Sequence, residues 1–279
     1  TFTAAPSSNS GNNIFVYYLF RTVGTVSHPS NNAFTATNGT LTGTLDVTGA
    51  LTVNNPIQIL NGSNVNTAST DADDLIIEGP NDCGLSILSA TTGRIFFGDA
   101  SNDDAGSIRY VHSDDSMRFE ANDEEAMRIH SIGAVTKPLQ PAFHAHKNGT
   151  DVTNLADGDT TITWGHERFD QNGDFASNTF TAPVTGKYFL QINARFQEID
   201  KDHDYIYLAI KTSNQDYSFI LDPDFGDSDP NYYSISHSVL ADMDANDTAY
   251  IRYSQNGGAA QTDLDGNQEY TWFEGYLVC

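Results

Sequence analysis

The stretch that decides the fold is Thr179-Phe-Thr-Ala-Pro-Val-Thr-Gly-Lys-Tyr-Phe189. Thr179 to Ala182 predicts a strand that points Phe180 to one side. Pro183 has no N–H to give to a ladder, so the strand ends there. Gly186 is expected to turn the chain, after which Tyr188 and Leu190 share one face of the next strand. Aromatics placed in this way form core and interface contacts, each burying about 150–250 Å².

The same grammar runs through the 279 residues. Thr, Ser, Asn, Asp and Gly are abundant, and β-branched and aromatic residues are punctuated by turn formers throughout. The chain reads as all-β; the one stretch with helical character, Ser116 to Ile129, also alternates. Over 39–53 the alternation is strict. Leu41, Leu45, Val47, Leu51 and Val53 fall on odd positions, with small or polar residues between them. One such strand cannot bury its apolar row alone. Three copies around an axis can, with Gly43 and Gly49 allowing close approach. The alternative is an ordinary strand of a monomeric sandwich.

Short strands are expected at Leu75–Ile77, Leu85–Leu88, Arg94–Phe97, Ser107–Val111 and Met117–Phe119, with turns at Gly79-Pro80, Gly93, Gly98-Asp99 and Gly106. Their apolar runs are too small for a self-sufficient core, so this part is expected to interdigitate with its copies. Lys137-Pro-Leu-Gln-Pro141 reads as a stiff linker. The expected organisation is an arm over 1–38, a repetitive β shaft over 39–136 and a globular head over 137–279. The chain does not begin with Met and carries no recognisable signal peptide. Ile14–Phe20, its longest apolar run and a candidate buried strand, is far too short to span a bilayer.

The charge balance is 13 Lys+Arg against 37 Asp+Glu, a net −24. Such a surface repels phosphate backbones and anionic lipid, which argues against nucleic-acid partners and membrane insertion. Cys83 and Cys279 read as free thiols rather than a disulfide framework.

Asp222-Pro-Asp-Phe-Gly-Asp-Ser-Asp229 places Asp222, Asp224, Asp227 and Asp229 around Gly226. Hard oxygen ligands at this density suit Ca²⁺, although the spacing is not that of an EF-hand; the plainer reading is a solvated acidic loop. Phe225, Tyr232 and Tyr233 flank this loop and are the candidates for stacking on a sugar face. His144 and His146 share a face of one strand, and three copies at an axis would bring them together for a metal. Trp164 and Trp272 read as core residues. Glu124-Glu125 and Glu167 are carboxylates available for glycan hydrolysis. Acidic residues are so common here that their pairing carries no weight. No Ser-His-Asp arrangement, phosphate loop or activated thiol appears, so no enzyme is expected.

Two stretches resemble known families. Asp71-Ala-Asp-Asp-Leu-Ile-Ile-Glu-Gly79, Gly84–Ser89, Gly93–Asp99, Ser116-Met-Arg-Phe119 and Ala126-Met-Arg-Ile129 resemble a repeat-like shaft segment of marine phage tail fibres, including those of cyanophages. Residues 141–279 resemble the globular head of complement C1q and the tumour-necrosis-factor superfamily. The matching runs are Pro141–Ala145, Phe169–Gly173, Thr179–Phe189 and Phe273–Leu277. The family's usual Gly-Asp turn reads Asn246-Asp247 here, and Asn tolerates the left-handed geometry.

The resemblance implies an intertwined trimeric β shaft followed by a jelly-roll β-sandwich, with Phe180, Tyr188, Phe273 and Tyr276 in the trimer core or interface. It further implies a phage tail fibre on the virion. Its partners would be itself, phage tail proteins on the N-terminal side, and a host surface glycan or outer-membrane receptor. A secreted C1q-like lectin, a glycan-cleaving tailspike and a virion head fibre or decoration protein are the alternatives.

Overall fold

A computed structural model describes residues 57–60, 71, 75–78, 81–224 and 226–279. Ile14–Phe20, the alternating residues Leu41, Leu45, Val47, Leu51 and Val53, and Phe225 lie outside them. The chain divides into two compact units, Thr1–Gly84 and Leu85–Cys279. In the first, β1 (Ile57–Leu60) pairs in parallel with β2 (Leu75–Glu78).

The second unit begins with a five-stranded antiparallel meander. Its strands are β3 (Thr92–Phe97), β4 (Gly106–Val111), β5 (Ser116–Ala121), β6 (Glu124–Ile129) and β7 (Val135–Thr136), hydrogen-bonded in sequence order. Ser116 to Ile129 is therefore two strands, as the alternation implies. Each strand pairs with its own chain neighbour. Leu85–Leu88 forms no strand and stays exposed.

The register sorts this sheet into two faces. Ile95, Ile108, Phe119 and Met127 fall in one row, and Tyr110, Met117, Ile129 and Val135 in the next but one, on the same side. The row between them, facing the other way, is Arg94-Arg109-Arg118-Arg128. Like charges opposite one another would destabilise the ladder. Carboxylates offset them: Arg109 pairs with Glu120, while Arg118 and Arg128 each pair with both Asp114 and Glu125. The hydrogen bond from Arg128 holds the Glu125 carboxyl below the usual range. Within this sheet only Ser107 and Ser116 are buried, so its apolar face has no core of its own.

The segment expected to be a linker is pinned down. The Gln171 amide donates to the carbonyls of Lys137 (2.9 Å) and Gln140 (2.6 Å), and Asn172 donates to that of Leu139 (2.8 Å).

The remaining strands are β8 (Ala142–His146), β9 (Gly158–Thr161), β10 (His166–Gln171), β11 (Phe175–Ala176), β12 (Thr179–Thr181), β13 (Gly186–Gln197), β14 (His203–Thr212), β15 (Asp216–Leu221), β16 (Tyr232–Met243), β17 (Thr248–Gly257), β18 (Asp263–Leu264) and β19 (Trp272–Leu277). They form two sheets, β10-β8-β19-β13-β16 with β18 beside β13, and β11-β12-β17-β14-β15 with β9 beside β17. Apart from β11–β12, β14–β15 and β18–β19, which stay within one sheet, successive strands cross from one sheet to the other, which is the double-sheet connectivity of a jelly roll.

The opening stretch behaves largely as read. Phe180 is fully buried, and β13 alternates strictly, with Tyr188, Leu190, Ile192, Ala194 and Phe196 all buried. Asn246 takes the left-handed conformation (φ 75°) at the turn before β17. Gly186, expected to turn the chain, instead opens β13 after bends at 183–185 and serves close approach, for a Cβ there would lie 2.7 Å from the Cys279 carbonyl oxygen. Phe143 is the hub of the core. It stacks on Phe175 (4.9 Å) and Phe180 (4.8 Å) and meets Phe273 edge-on (5.0 Å). Phe180, Tyr188 and Phe273, expected in a trimer core or interface, are thus enclosed by their own chain. Tyr276 faces outward, 48% exposed.

Between β13 and β14, the buried Asp200 carboxylate accepts backbone hydrogen bonds from Ala259 (2.5 Å) and Asp202 (2.9 Å), which hold its pKa below the ordinary value. A depressed carboxylate contributes stability that is complete above its unfolded-state pKa, about 3.9, and is lost as pH falls through the folded value. Asp200→Ala removes that contribution and leaves the Ala259 N–H without its acceptor, at a cost of about 1–3 kcal/mol. Thermal melts at pH 7 should show the loss, and melts at pH 3 a smaller gap between variant and parent. An equal gap at both pH values would refute the assignment.

Candidate functional site

The outward face of the first sheet changes character along its strands. At one end Ala142, Tyr276, Phe189 and Leu240 fall in register. Leu240 is 58% exposed, and Phe169, one row on, 49%. Next to Phe169 come His144, Glu274, Gln191 and Ser238, followed by His166, His146, Trp272, Asn193 and Ser236. Trp272 is therefore an outward residue, against the core expectation, and stacks on His144 at 5.6 Å. Trp164 does pack against the core. His144 and His146 share a face as expected, 6.2 Å between ring centroids. His144 Nδ1 bonds the Glu274 carboxylate at 2.9 Å, and its buried Nε2 has no partner.

At the polar end the surface falls into a cleft of about 540 Å³. It is lined by His146, Lys147, Asn148, Gly149, Asp151, His166, Arg195, Gln197, Asp265, Asn267 and Gln268. Four segments build it: the end of β8 with its following loop, the start of β10, the end of β13, and the loop between β18 and β19. Asp265 is the fixed point. It is buried, and one oxygen accepts Arg195 Nε (2.5 Å) and Gln197 Nε2 (3.0 Å), while the other takes the Asn267 N–H (2.7 Å). The Arg195 guanidinium lies 3.4 Å from the Tyr270 ring centroid and 5.1 Å from that of Tyr232, within cation–π range of both.

Lys147 is buried and donates to the Thr163 carbonyl at 3.1 Å. Burial pushes its pKa down, and Asp151 pulls it partly back. The Asp151 carboxylate accepts the Gly266 N–H at 2.6 Å, and the Gly149 N–H donates to the Gly266 carbonyl at 2.7 Å. Two segments 115 residues apart are thereby tied across the cleft floor.

Of the expected sugar-stacking residues, Tyr232 is 64% exposed and pairs with Gln197 at the cleft rim. Tyr233 pairs with Phe196 and packs against the core. The four loop aspartates do not assemble. Asp229 accepts from the Lys201 N–H (3.0 Å) and Gln261 (2.9 Å), and Asp222 from the Asp224 N–H (3.2 Å). Among the described residues no group of three or more His, Cys, Asp or Glu is arranged to hold a metal ion. Glu125 is engaged by Arg118 and Arg128 rather than poised as an acid or base.

The cleft itself is not legible in the sequence. Its residues are scattered over more than a hundred positions, and none forms a local motif.

No protein-family model matches the chain, and no curated protein matches it. Among solved structures it is similar to the globular domain of zebrafish complement 1qA, at 17% identity and a TM-score of 0.38, covering 50% of this chain and 98% of that one. It is also similar to murine APRIL, at 11% identity and a TM-score of 0.36, covering 50% and 99%. The jelly-roll assignment rests on the chain's own strand order.

Proposed function

We propose that this chain is a non-enzymatic, self-associating adhesin: a bacteriophage tail fibre that forms a homotrimer and attaches the virion to a ligand on the host surface, a glycan. The observation that carries the reading is the amount of apolar surface one copy leaves uncovered. The meander buries no apolar side chain, and the sandwich presents Tyr276, Leu240 and Phe169 on one outward face. Contiguous exposed apolar faces of this kind mark interaction surfaces. A second and third copy supply matching faces by symmetry. The N-terminal side would face the particle and its tail proteins, and the sandwich the host. Three weak sites acting together would give the attachment its strength.

Light scattering with and without a calcium chelator tests the association. A mass near three times 30.4 kDa is expected in both buffers. A monomer in both would overturn the reading. Release of reducing sugar from host polysaccharide would replace the adhesin by a glycan-cleaving tailspike.

A further inference from the structure

We propose that the cleft between Lys147, Arg195 and Asn267 is the ligand site, and that it takes the neutral end of a glycan, a terminal mono- or disaccharide, rather than an acidic sugar. The proposal rests on the adhesin reading and assigns it a place and a chemical class. Three observations carry it.

The first is charge balance. The lining holds Lys147 and Arg195 against Asp151 and Asp265. Arg195 is satisfied by Asp265 and the two tyrosine rings, and Lys147 has Asp151 beside it. A ligand carboxylate would compete with counter-charges already in place. It would also approach a chain of net −24, whose field disfavours anionic polymers.

The second is hydrogen-bonding chemistry. Four amide side chains line the cleft: Asn148, Gln197, Asn267 and Gln268. Amides offer a donor and an acceptor side by side, which matches vicinal hydroxyls. Gln268 has no side-chain partner among the described residues. The Nδ2 of Asn267 is also uncommitted, because only its Oδ1 is used, by the Glu269 N–H (2.9 Å).

The third is shape. The volume of about 540 Å³ lies within the range of small-ligand pockets, and the exposed Tyr232 ring at the rim offers an apolar face for a pyranose. The floor is rigid, since Asp265, Asp151 and Gly266 are locked by the hydrogen bonds above, so little ordering is needed on binding.

The test is a titration of the full chain, by ligand-observed NMR, with neutral hexoses and disaccharides and with matched glucuronic- and sialic-acid sugars. Neutral sugars should bind, acidic ones more weakly. Gln268→Leu and Tyr232→Ala should each weaken neutral-sugar binding about 2–10-fold, Gln268→Leu without lowering Tm. Preference for acidic sugars, or neutral-sugar binding that ignores both variants, would overturn the proposal and leave the adhesin reading standing. If no sugar binds but labelled protein is retained on intact cells, the cleft assignment fails alone. If retention on cells fails too, the adhesin reading falls with it.

Discussion

Phe143→Ala should destabilise the sandwich by about 3–5 kcal/mol and lower its Tm by about 6–20 °C. Phe143 is 1% exposed and touches three other rings, Phe175, Phe180 and Phe273, with centroids 4.8–5.0 Å away. Those rings come from β11, β12 and β19, so this one side chain joins both sheets. Truncation removes the transfer energy of a phenyl ring and leaves a cavity that β8 cannot close, because hydrogen bonds to β10 and β19 hold it on both sides. Since domain stabilities run to about 5–15 kcal/mol, a loss of this size approaches global unfolding. Tyr276→Ala is the control. It removes a comparable ring from the outward face and should cost the isolated fold no more than about 0.5 kcal/mol, while weakening association of copies. Thermal melts at low protein concentration, paired with mass measurement, separate the two effects. Equal destabilisation by both variants would show that the four-ring cluster is not the centre of the core.

How the sequence divides into legible and illegible parts follows from this contrast. Alternation around Phe180, Tyr188 and Leu190 reads correctly because it is local: period two is set by the strand, and the Pro183 break is written into the residue. The Asn246 turn reads correctly for the same reason, a backbone requirement met by one side chain. Which of two aromatic-bearing faces turns inward is not local. In Trp272-Phe-Glu-Gly-Tyr276 one face offers Trp272 and Tyr276 and the other Phe273 and Gly275. Only pairing with β8 and β13 puts Phe273 inside. Trp272 therefore faces outward, although its size and apolarity alone point to the core.

The arginine row of the meander shows the limit more sharply. Arg94, Arg109, Arg118 and Arg128 are unremarkable along the chain. Three turns, together with the irregularity that sets Ala126 out of register, bring them into one line. Leu85–Leu88 misleads in the opposite direction. It has strand composition, but composition supplies no neighbouring edge to pair with.

Gly266→Ala should do the most damage to the cleft. A Cβ there would lie 2.1 Å from the Thr150 carbonyl carbon, 2.2 Å from its oxygen and 2.5 Å from its nitrogen. All three are backbone atoms, so no rotamer change relieves the clash. The segments must separate, and with them go the bonds from Gly149 to Gly266 and from Gly266 to Asp151. Overpacking and the two lost hydrogen bonds together should cost about 2–4 kcal/mol. The functional loss should exceed the structural one. Lys147, Asn148 and Asp151 stand on one side of the separating pair, and Asp265, Asn267 and Gln268 on the other, so neutral-sugar binding should disappear rather than weaken. Gly149→Ala distinguishes clash from backbone strain. Gly149 sits at φ 90°, and an added methyl group there would meet open space, so the substitution should cost about 1–2 kcal/mol without parting the two segments. Binding retained in Gly149→Ala and abolished in Gly266→Ala would place recognition at the junction of the two loops. Binding retained in both would move it elsewhere on the molecule.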